Sequence, residues 1–484
     1  MKLPVVPAQV DADTLVRLDR PCPRYTSYPT ADRFHDGVQA GAFKDALTRA
    51  DAYPDAPLSL YVHLPFCPQL CTYCGCTVVV SNSEKRRRSY IQQVLAEMDL
   101  ALPHLPRRRK VGQIHLGGGT PNACSIDELS LLMQGIASRF EVLPDAEVSL
   151  EADPRRVEPG QFDRLAPLGF NRVSFGVQDF SLDVQEAIGR HQSVTETMLS
   201  VEQARAAGFA SVNLDLVYGL PEQSFDDFKT TILHVLRMKP DRVALFSFAY
   251  VPHVRPHQKK IDKDTLPGAP DKAALFLYAR EKFTEAGYIP VGMDHFALPD
   301  DNLGQAQVEG HLRRNFQGYT VLPEGAVPDT RDGVLPRRQL GAKGNLLAFG
   351  MSGISEIGGG YFANPRRIND YIEPLDQDKL PVARGAILDD DDLVCAALIE
   401  ELMCRFKLRN DWVKAELGKD LTVDFAEAQQ RLDALVDEGL VERQGDDLVV
   451  TDLGRFFVRL VAACFDERWH AAQDDDGPRY SQAV

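Results

Sequence analysis

Short runs of β-prone residues alternate with amphipathic helical stretches through the first half of the chain. The six runs are LSLYVHL (58–64), VGQIHL (111–116), AEVSLEA (146–152), NRVSFGV (171–177), SVNLDLVYG (211–219) and DRVALFSFA (241–249). The stretches between them include SYIQQVLAEMDLAL (89–102), SIDELSLLMQGIASRF (125–140) and TETMLSVEQARAAG (195–208). This alternation predicts an α/β protein with parallel βαβ units, which right-handed crossovers would curl into a barrel or an open sheet. In either arrangement, ligands bind at the carboxyl ends of the strands.

The remaining parts of the chain have a different character. Residues 1–57 are rich in proline, and the segment PRYTSYPTADRF (23–34) predicts an extended arm. The stretch 321–344 is rich in Gly, Pro and Arg, which predicts a long surface loop. From about residue 385 a helical pattern begins with aspartates that can cap a helix. It continues through LVERQGDDLVVT, a predicted hairpin with its turn at Gln444–Asp447, and together these features resemble a winged helix.

Composition and charge narrow the class of protein. The chain has 484 residues, 44% of them hydrophobic, with 54 Lys and Arg against 70 Asp and Glu. A net charge of −16 argues against a nucleic-acid-binding protein, because phosphate recognition needs a basic surface. No run of about 18 apolar residues predicts a membrane span. The start of the chain lacks the apolar region of a signal peptide, so we expect a cytoplasmic location.

Four of the nine cysteines lie within ten residues. Cys67, Cys71 and Cys74 have the spacing C-x3-C-x2-C, and Cys76 follows directly. Three closely spaced thiolates suit a cubane iron–sulfur cluster, in which each binds one iron and one iron keeps an open position. They follow the first β run, so they lie where an α/β fold places a ligand site. A structural zinc site would need four ligands in two separated pairs. A redox pair at Cys71 and Cys74 would need a thioredoxin-like context that is absent here.

A second motif, GGGTP (117–121), follows the second β run. Glycines allow a ligand to approach the backbone closely, and exposed N–H groups can bind a carboxylate. Alone the motif is also compatible with an ordinary turn. Combined with the cysteine loop, it predicts one site at the carboxyl ends of adjacent strands.

The cysteine triplet, with an aromatic residue before its last member and GGGTP downstream, resembles the radical S-adenosylmethionine superfamily. More closely, the chain resembles the family of oxygen-independent coproporphyrinogen III oxidases, the coproporphyrinogen dehydrogenases of haem biosynthesis. The segments that carry the resemblance, spread over about residues 20–480, are PRYTSYPTA, SLYVHLPFC, CGC, GGGTP, EADPR, FNRVSFGVQDF, NLDLVYGLP, GMDHFALPDD, RRNFQGYT and CFDERW.

The resemblance implies a partial (β/α)6 TIM-like barrel with an N-terminal arm and a mostly helical, winged-helix-like C-terminal domain. We expect the arm at 1–57, the barrel at 58–320, a long loop and barrel-closing segment at 321–384, and the C-terminal domain at 385–484.

The resemblance also implies the cofactors. Cys67, Cys71 and Cys74 would hold a [4Fe–4S] cluster, with Cys76 outside the ligand set. The open iron would bind one S-adenosylmethionine, and a second molecule would bind beside it. The residues matching the first site are Tyr61, Gly118, Glu151 and Ile354. The residues matching the second site are Tyr73, Gly119, Thr120, Gln178, Arg190, Asp215 and Ala249. Read without the family, a carboxylate at a strand end caps a helix about as often, and Ala249 and Ile354 would be assigned to the core.

The family's reaction follows from these cofactors. A 5′-deoxyadenosyl radical abstracts hydrogen from a propionate side chain, and loss of carbon dioxide and one electron leaves a vinyl group. Done on two propionates of coproporphyrinogen III, this gives protoporphyrinogen IX. No general base is required, and we assign no catalytic residue. The resemblance implies an electron-donor protein such as flavodoxin or ferredoxin, and we expect a monomer.

The substrate carries four carboxylates, so local cations are expected despite the net charge. Arg24, Arg313 and Arg314 are candidates for these cations, whereas His63 and His295 are more typical of structural histidines.

Two other functions stay open at this point. A related haem-binding chaperone shares the cysteine triplet but would lack the PRYTSYPTA arm and the CGC ending, both of which are present. A winged-helix regulator of nucleic acids should have a basic C-terminal domain. Residues 390–455 instead contain 17 Asp and Glu against 8 Lys and Arg.

Overall fold

The computed structural model describes residues 12–321 and 345–471. Its strands are β1 Leu58–Leu64, β2 Phe66–Cys67, β3 Val79–Val80, β4 Lys110–Gly118, β5 Glu141–Ala152, β6 Arg172–Gln178, β7 Ser211–Tyr218, β8 Arg242–Ser247, β9 Ile289–Gly292, β10 His295–Ala297, β11 Leu312–Asn315, β12 Gly318–Val321, β13 Asn345–Phe349, β14 Ile354–Ile357, β15 Gly360–Ala363, β16 Arg384–Ile387, β17 Lys407–Leu408, β18 Val441–Gln444 and β19 Asp447–Val450. Its α-helices are α1 Ala12–Leu18, α2 Ala40–Ala50, α3 Glu84–Ala101, α4 Ile126–Ala137, α5 Gln161–Leu165, α6 Leu182–Ile188, α7 Val194–Ala206, α8 Phe225–Met238, α9 Ala269–Glu285, α10 Asn302–Glu309, α11 Ile368–Leu375, α12 Asp390–Arg405, α13 Asn410–Leu417, α14 Ala426–Asp437, α15 Val458–Ala463 and α16 Glu467–Ala471.

All six predicted β runs are strands of one large sheet. The order of its twelve strands is β16-β15-β14-β13-β1-β4-β5-β6-β7-β8-β10-β9. Strands β1 and β4 to β8 pair in parallel in sequence order, as the alternating pattern predicted. The α/β class, with a mostly parallel central sheet and a helical C-terminal region, is confirmed.

The sheet is wider than six strands. Strand β13 pairs in parallel with the other edge of β1, through Ser59↔Leu346 to Val62↔Phe349. Strands β14, β15 and β16 then continue the sheet in antiparallel order, and β10 and β9 do the same beyond β8. The predicted loop at 321–344 lies outside the described residues, except that Val321 ends β12.

Buried and partly buried residues alternate in β6, whereas some other parallel strands are buried almost throughout. Strand β7, for example, has seven buried residues out of eight, which is typical of a covered parallel strand. The helices begin at side-chain caps. Ser125 and Ser193 each accept a hydrogen bond from the third residue of the following helix, whose glutamate bonds back to the cap.

Ion pairs connect residues near the amino ends of the parallel strands. Arg172 and Arg242, the first residues of β6 and β8, both pair with Glu147, at 2.8 and 3.0 Å. Arg242 also pairs with Asp301 at 2.6 Å, and its side chain is only 3% exposed. Each buried charge at the amino ends of these strands thus has a partner of opposite sign, so none is left uncompensated.

The N-terminal arm lies against the C-terminal helices. Tyr25 donates a hydrogen bond to Asp466 at 2.9 Å, and Arg459 donates to the carbonyl of Pro23 at 2.9 Å. Within the C-terminal region, β17, β19 and β18 form a small antiparallel sheet. The turn between β18 and β19 lies at Gln444–Asp447, where the sequence predicted it. The winged-helix assignment and the domain boundaries stay interpretations.

Helix α3 connects two elements that flank the strand ends. Tyr90 donates to the carbonyl of His63 at 2.8 Å and accepts from the Met351 amide at 2.8 Å. Two turns further on, Glu97 accepts from the Gly350 amide at 2.8 Å and from Asn364 and Tyr371, at 2.6 and 2.7 Å. These bonds fix the turn between β13 and β14 against the end of β1.

We predict that Glu97 makes stability depend on pH. Its side chain is 2% exposed, and burial raises the pKa of its carboxyl from 4.5 to about 7. The folded state therefore holds a proton that the unfolded state has lost, so stability falls as pH rises from about 4.5 to about 7, by up to about 3 kcal/mol. Glu97→Gln should remove this decline in urea titrations at pH 5 and pH 8, and the exposed Glu202→Gln should retain it. Parallel pH profiles for the wild type and Glu97→Gln would contradict the prediction.

Candidate functional site

The predicted site residues lie at the carboxyl ends of neighbouring strands. Cys67 ends β2, Gly118 ends β4, and Gln178 ends β6. Glu151 lies one residue before the end of β5, Asp215 lies in β7, and Ala249 follows β8 by two residues. Ile354 begins β14, on the opposite side of β1. One edge of the sheet thus carries predicted site residues from six of its strands or the segments that follow them, and Cys67 lies on the separate short strand β2.

A close backbone approach joins the two sequence motifs. The Gly119 amide donates to the Leu64 carbonyl at 2.8 Å, and the Thr120 amide donates to the Phe66 carbonyl at 2.9 Å. A Cβ atom on Gly119 would lie 2.6 Å from the Pro65 backbone, so only glycine fits this contact. The Thr120 hydroxyl lies 3.3 Å from the Cys67 sulfur. The GGGTP segment therefore positions the start of the cysteine loop.

The rest of the cysteine loop is held through its backbone. Thr72 donates its amide to the carbonyl of Ile188 and its hydroxyl to the carbonyl of Ala187, both at 3.1 Å. Gln258 donates to the carbonyl of Tyr73 at 3.0 Å, and a ring nitrogen of His257 lies 2.7 Å from the carbonyl oxygen of Cys74. These contacts leave the sulfur atoms of the loop available to a ligand.

The thiols of the loop differ in their surroundings. Hydrogen bonding from Cys76 lowers the pKa of Cys74 to about 7, and the Cys76 amide donates to the Cys74 sulfur at 3.4 Å. Burial raises the pKa of Cys67 to about 11. Within residues 12–321 and 345–471, no three Cys, His, Asp or Glu side chains meet closely enough to hold a single metal ion. A cubane needs one iron at each sulfur, so its three cysteines need not meet at a point.

Glu151 is the best-organised carboxylate of the site. It accepts from the Gly118 amide at 3.0 Å, and its other oxygen lies 3.4 Å from His115, which contacts Ser149 at 2.6 Å. Burial alone would raise the pKa of Glu151, but the His115 hydrogen bond and then the Gly118 amide lower it below its usual value. The carboxylate is therefore ionised and suited to an ammonium or to hydroxyl groups.

Tyr61 and His63 complete this side of the site. The Tyr61 hydroxyl lies 3.1 Å from one nitrogen of His63, and the other nitrogen lies 2.8 Å from the Thr77 carbonyl oxygen. The Tyr61 ring stacks on His115 with a centroid distance of 5.9 Å. Both nitrogens of His63 therefore have protein partners, as expected for a structural histidine.

A second group of side chains surrounds Gly176. Arg190 donates to the Gly176 carbonyl at 2.6 Å and pairs with Asp153 at 3.3 Å, while its Nε atom is buried without a hydrogen-bond partner. A Cβ atom on Gly176 would lie 2.7 Å from the Gln178 amide and 3.3 Å from Arg190. Asp215 lies on the next strand. An anionic ligand group fits this place because a buried guanidinium nitrogen there still needs an acceptor.

Asp215 differs from Glu151 in its charge state. It accepts from Ser174 at 2.9 Å and from Asn213 at 2.7 Å. Burial, and then the charge of Glu151, nonetheless raise the pKa of Asp215 to about 6. Two carboxylates on this one edge of the sheet therefore influence each other's ionisation.

An open cleft of about 970 Å³, a volume that includes open solvent, lies beside β1. Its lining residues are Tyr61, His63, Gly75, Cys76, Thr77, Gly118, Glu151, Arg255, Phe316, Gln317, Leu346, Ser352, Ile354, Ala363, Asn364, Arg366 and Arg384. The lining contains the four residues predicted for the first S-adenosylmethionine and none predicted for the second. Tyr73, from the second set, packs instead beside Val184, Ile188 and Phe248.

The cations predicted for the substrate already have protein partners. Arg24 pairs with Asp294, Arg313 pairs with Glu400 at 3.3 Å, and Arg314 donates to the Tyr25 carbonyl at 3.1 Å. His295 lies 2.7 Å from the carboxylate of Asp294, in a structural position.

Sequence reasoning missed the three arginines that line the cleft, Arg255, Arg366 and Arg384. Their surroundings in the sequence have no distinguishing pattern, and only the pairing of β14 to β16 next to β13 brings two of them to the site.

Family models match two parts of the chain. The model described as the Radical SAM superfamily matches residues 61–235, and the model described as the HemN C-terminal domain matches residues 388–457. Among the described residues, no helix combines the length and the apolar character that a membrane crossing requires.

The chain is similar to curated proteins over almost its whole length. It is 39% identical to the oxygen-independent coproporphyrinogen III oxidase of Pseudomonas aeruginosa, over 94% of this chain and 95% of that protein. It is also 39% identical to the protein of that name from Escherichia coli K12, over 92% of each. The solved structure of coproporphyrinogen III oxidase (HemN) from Escherichia coli, a radical SAM enzyme by its description, matches with a TM-score of 0.83 and 37% identity. This match covers 92% of this chain and 97% of the other.

We predict that Cys71 and Cys76 differ in their importance for the metal centre. Anaerobically reconstituted wild type should bind about four irons per chain, because the cubane contains four. Cys71→Ser should lose the cluster, measured as iron content and visible absorption. Cys76→Ser should keep it, because we expect Cys76 to contribute a hydrogen bond rather than an iron ligand. A Cys71→Ser protein with full iron content would refute the ligand assignment.

Proposed function

The chain belongs to the family of oxygen-independent coproporphyrinogen III oxidases, and we propose that it converts coproporphyrinogen III to protoporphyrinogen IX. In this reaction two propionate side chains become vinyl groups without oxygen. Each conversion releases one carbon dioxide, one hydrogen atom and one electron. The observation that carries the proposal is the cysteine loop bonded to GGGTP beside Glu151, in a chain similar to these oxidases over more than nine-tenths of its length.

The family is one of radical SAM enzymes, which use a [4Fe–4S] cluster and S-adenosylmethionine. When bound, these groups supply one-electron chemistry that removes a hydrogen atom from the substrate. We assign the cluster to Cys67, Cys71 and Cys74. The protein's own contribution is to hold the loop, through the Thr72 and Gln258 contacts, and to present the Glu151 carboxylate beside it. The amides of Gly118 and Gly119 already donate to Glu151 and to the Leu64 carbonyl, so their role is to position these groups.

We assign two S-adenosylmethionine sites on this edge of the sheet. Tyr61, Gly118, Glu151 and Ile354, which line the cleft, belong to the first. The second uses Tyr73, Gly119, Thr120, Gln178, Arg190, Asp215 and Ala249. The support for a second site is the partnerless Nε of Arg190, which suits a carboxylate, and its separation from the cleft. Two neighbouring sites would also match the two hydrogen abstractions that the overall reaction needs.

The remaining assignments concern the setting of the reaction. We propose that an electron-donor protein, a flavodoxin or a ferredoxin, supplies the electron, and that the enzyme acts in the cytoplasm as a monomer. The C-terminal winged-helix-like domain covers the substrate rather than binding nucleic acid. Its excess of acidic residues argues against binding to nucleic acid.

The reaction itself can be tested directly. Reconstituted protein, incubated without oxygen with S-adenosylmethionine, a reductant and coproporphyrinogen III, should yield protoporphyrinogen IX, measured by chromatography after oxidation to the porphyrin. The Cys71→Ser protein is the matched control and should yield none. Tight haem binding without decarboxylation would instead support the haem-binding chaperone.

The number of S-adenosylmethionine molecules gives a second test. Equilibrium dialysis of reconstituted wild type should find about two molecules per chain, because the two residue sets bind one each. Arg190→Gln should bind about one and keep its iron content, whereas Arg237→Gln, on the exposed side of α8, should bind two. Wild type that saturates at one molecule would rule out the second site.

A further inference from the structure

Three arginines face the cleft from elements far apart in the chain. Arg255 precedes the short 3₁₀ helix Pro256–Lys260, Arg366 follows β15, and Arg384 begins β16. The turn after Arg255 is tied to the cysteine loop, since His257 contacts Cys74 and Gln258 donates to Tyr73. On the opposite side, Arg366 follows β15, and Arg384 pairs with Ala363 of β15, which in turn pairs with Ile354 of β14. The three side chains therefore line the cleft from both sides.

None of the three has an ion-pair partner among the described residues. The described contact of Arg384 is with a ring, since its guanidinium lies 6.0 Å from the centre of Phe34. Other arginines in this half of the molecule are paired, for example Arg24 with Asp294 and Arg313 with Glu400. Arg366 is exposed, and Arg255 and Arg384 are partly buried. Within the part of the chain that the structure describes, these guanidinium groups share one cleft without a carboxylate partner, so they are available to an anionic ligand.

The charge of the cleft is opposite to that of the chain. Among the described residues that line it, Glu151 is the single acidic one, and its oxygens already accept from Gly118 and contact His115. The three arginines are also close enough to repel one another. Burial, then Arg384 and Arg255, lower the pKa of Arg366. An anion between them would relieve this repulsion.

We propose that Arg255, Arg366 and Arg384 bind the propionate carboxylates of the porphyrinogen that are not at the reacting position. This inference rests on the proposed function. A porphyrinogen with four propionates offers several carboxylates at once, and guanidinium groups bind carboxylates through paired hydrogen bonds. The apolar residues Phe316, Leu346 and Ala363 in the same lining can contact the pyrrole rings.

We expect the carboxylate of the reacting propionate to bind away from these three arginines. It leaves as neutral carbon dioxide, so an arginine paired with it would stabilise the reactant over the transition state and slow the step. An arginine paired with a carboxylate that stays on the ring stabilises both states equally and positions the reacting propionate. The arginines are therefore positioning residues, and their loss should weaken porphyrin binding more directly than it alters the cofactors.

Binding of stable porphyrins tests the proposal without turnover. The probes are coproporphyrin III, with four propionates, mesoporphyrin IX, with two, and the tetramethyl ester of coproporphyrin III, titrated anaerobically by fluorescence. Arg366→Gln and Arg384→Gln should each lower the affinity for both acids by about 10-fold or more, because each variant loses a hydrogen bond to a charged group. Binding of the ester should change little. Arg366→Lys, which keeps the charge, should lose less than Arg366→Gln, and Arg237→Gln should bind as the wild type.

Three outcomes would overturn the inference. The first is that the variants bind both acids as tightly as the wild type does. The second is that only the affinity for coproporphyrin III falls, because the arginines would then hold the reacting propionates. Weakened S-adenosylmethionine binding with unchanged porphyrin binding would assign the arginines to the cofactor. Failure of the wild type to convert coproporphyrinogen III would instead contradict the proposed function, so the two failures can be told apart.

Discussion

The site depends on one close approach between two backbone segments. The amides of Gly119 and Thr120 bond to the carbonyls of Leu64 and Phe66, at a separation that a side chain on Gly119 would prevent. This contact ties the end of β4 to the start of the cysteine loop, and β4 in turn brings Gly118 to Glu151 on β5. A shift at this point would therefore displace the sulfur atoms and the carboxylate together. The GGGTP motif is therefore needed for the packing of these two segments as much as for ligand binding.

The amino and carboxyl ends of the parallel strands differ in how their charged side chains are paired. At the amino end, Arg172 and Arg242 share Glu147, and Asp301 supplies a second partner, so the buried charges compensate one another. At the carboxyl end Arg190 pairs with Asp153, but the three arginines of the cleft have no carboxylate partner within residues 12–321 and 345–471. A protein with a net charge of −16 can thus present a cationic cleft. The net charge of the chain describes its surface as a whole, whereas the local charge of the cleft determines which ligand binds there.

The two carboxylates of the site have different roles because their surroundings differ. Hydrogen bonds from His115 and Gly118 keep Glu151 ionised, whereas burial and the charge of Glu151 raise the pKa of Asp215 to about 6. Ionisation of Asp215 therefore becomes easier when a cation is bound between them, and S-adenosylmethionine carries two positive groups. A cationic ligand bound near both residues would therefore favour release of the Asp215 proton.

The sequence predicted the parts of the fold and site that depend on local pattern. Six β runs were predicted to be parallel strands because helical stretches alternate with them, and the cysteine spacing identified the loop that follows the first strand. The sequence did not predict strand β13, because its partner β1 lies almost 290 positions away and a short apolar run does not specify a partner. Arg24 and Arg313 were better placed in motifs than Arg366 or Arg384, yet Asp294 and Glu400 already pair with them. An arginine is available to a ligand only where no carboxylate lies nearby, and that condition is set by strands that meet in space rather than by neighbours in the chain.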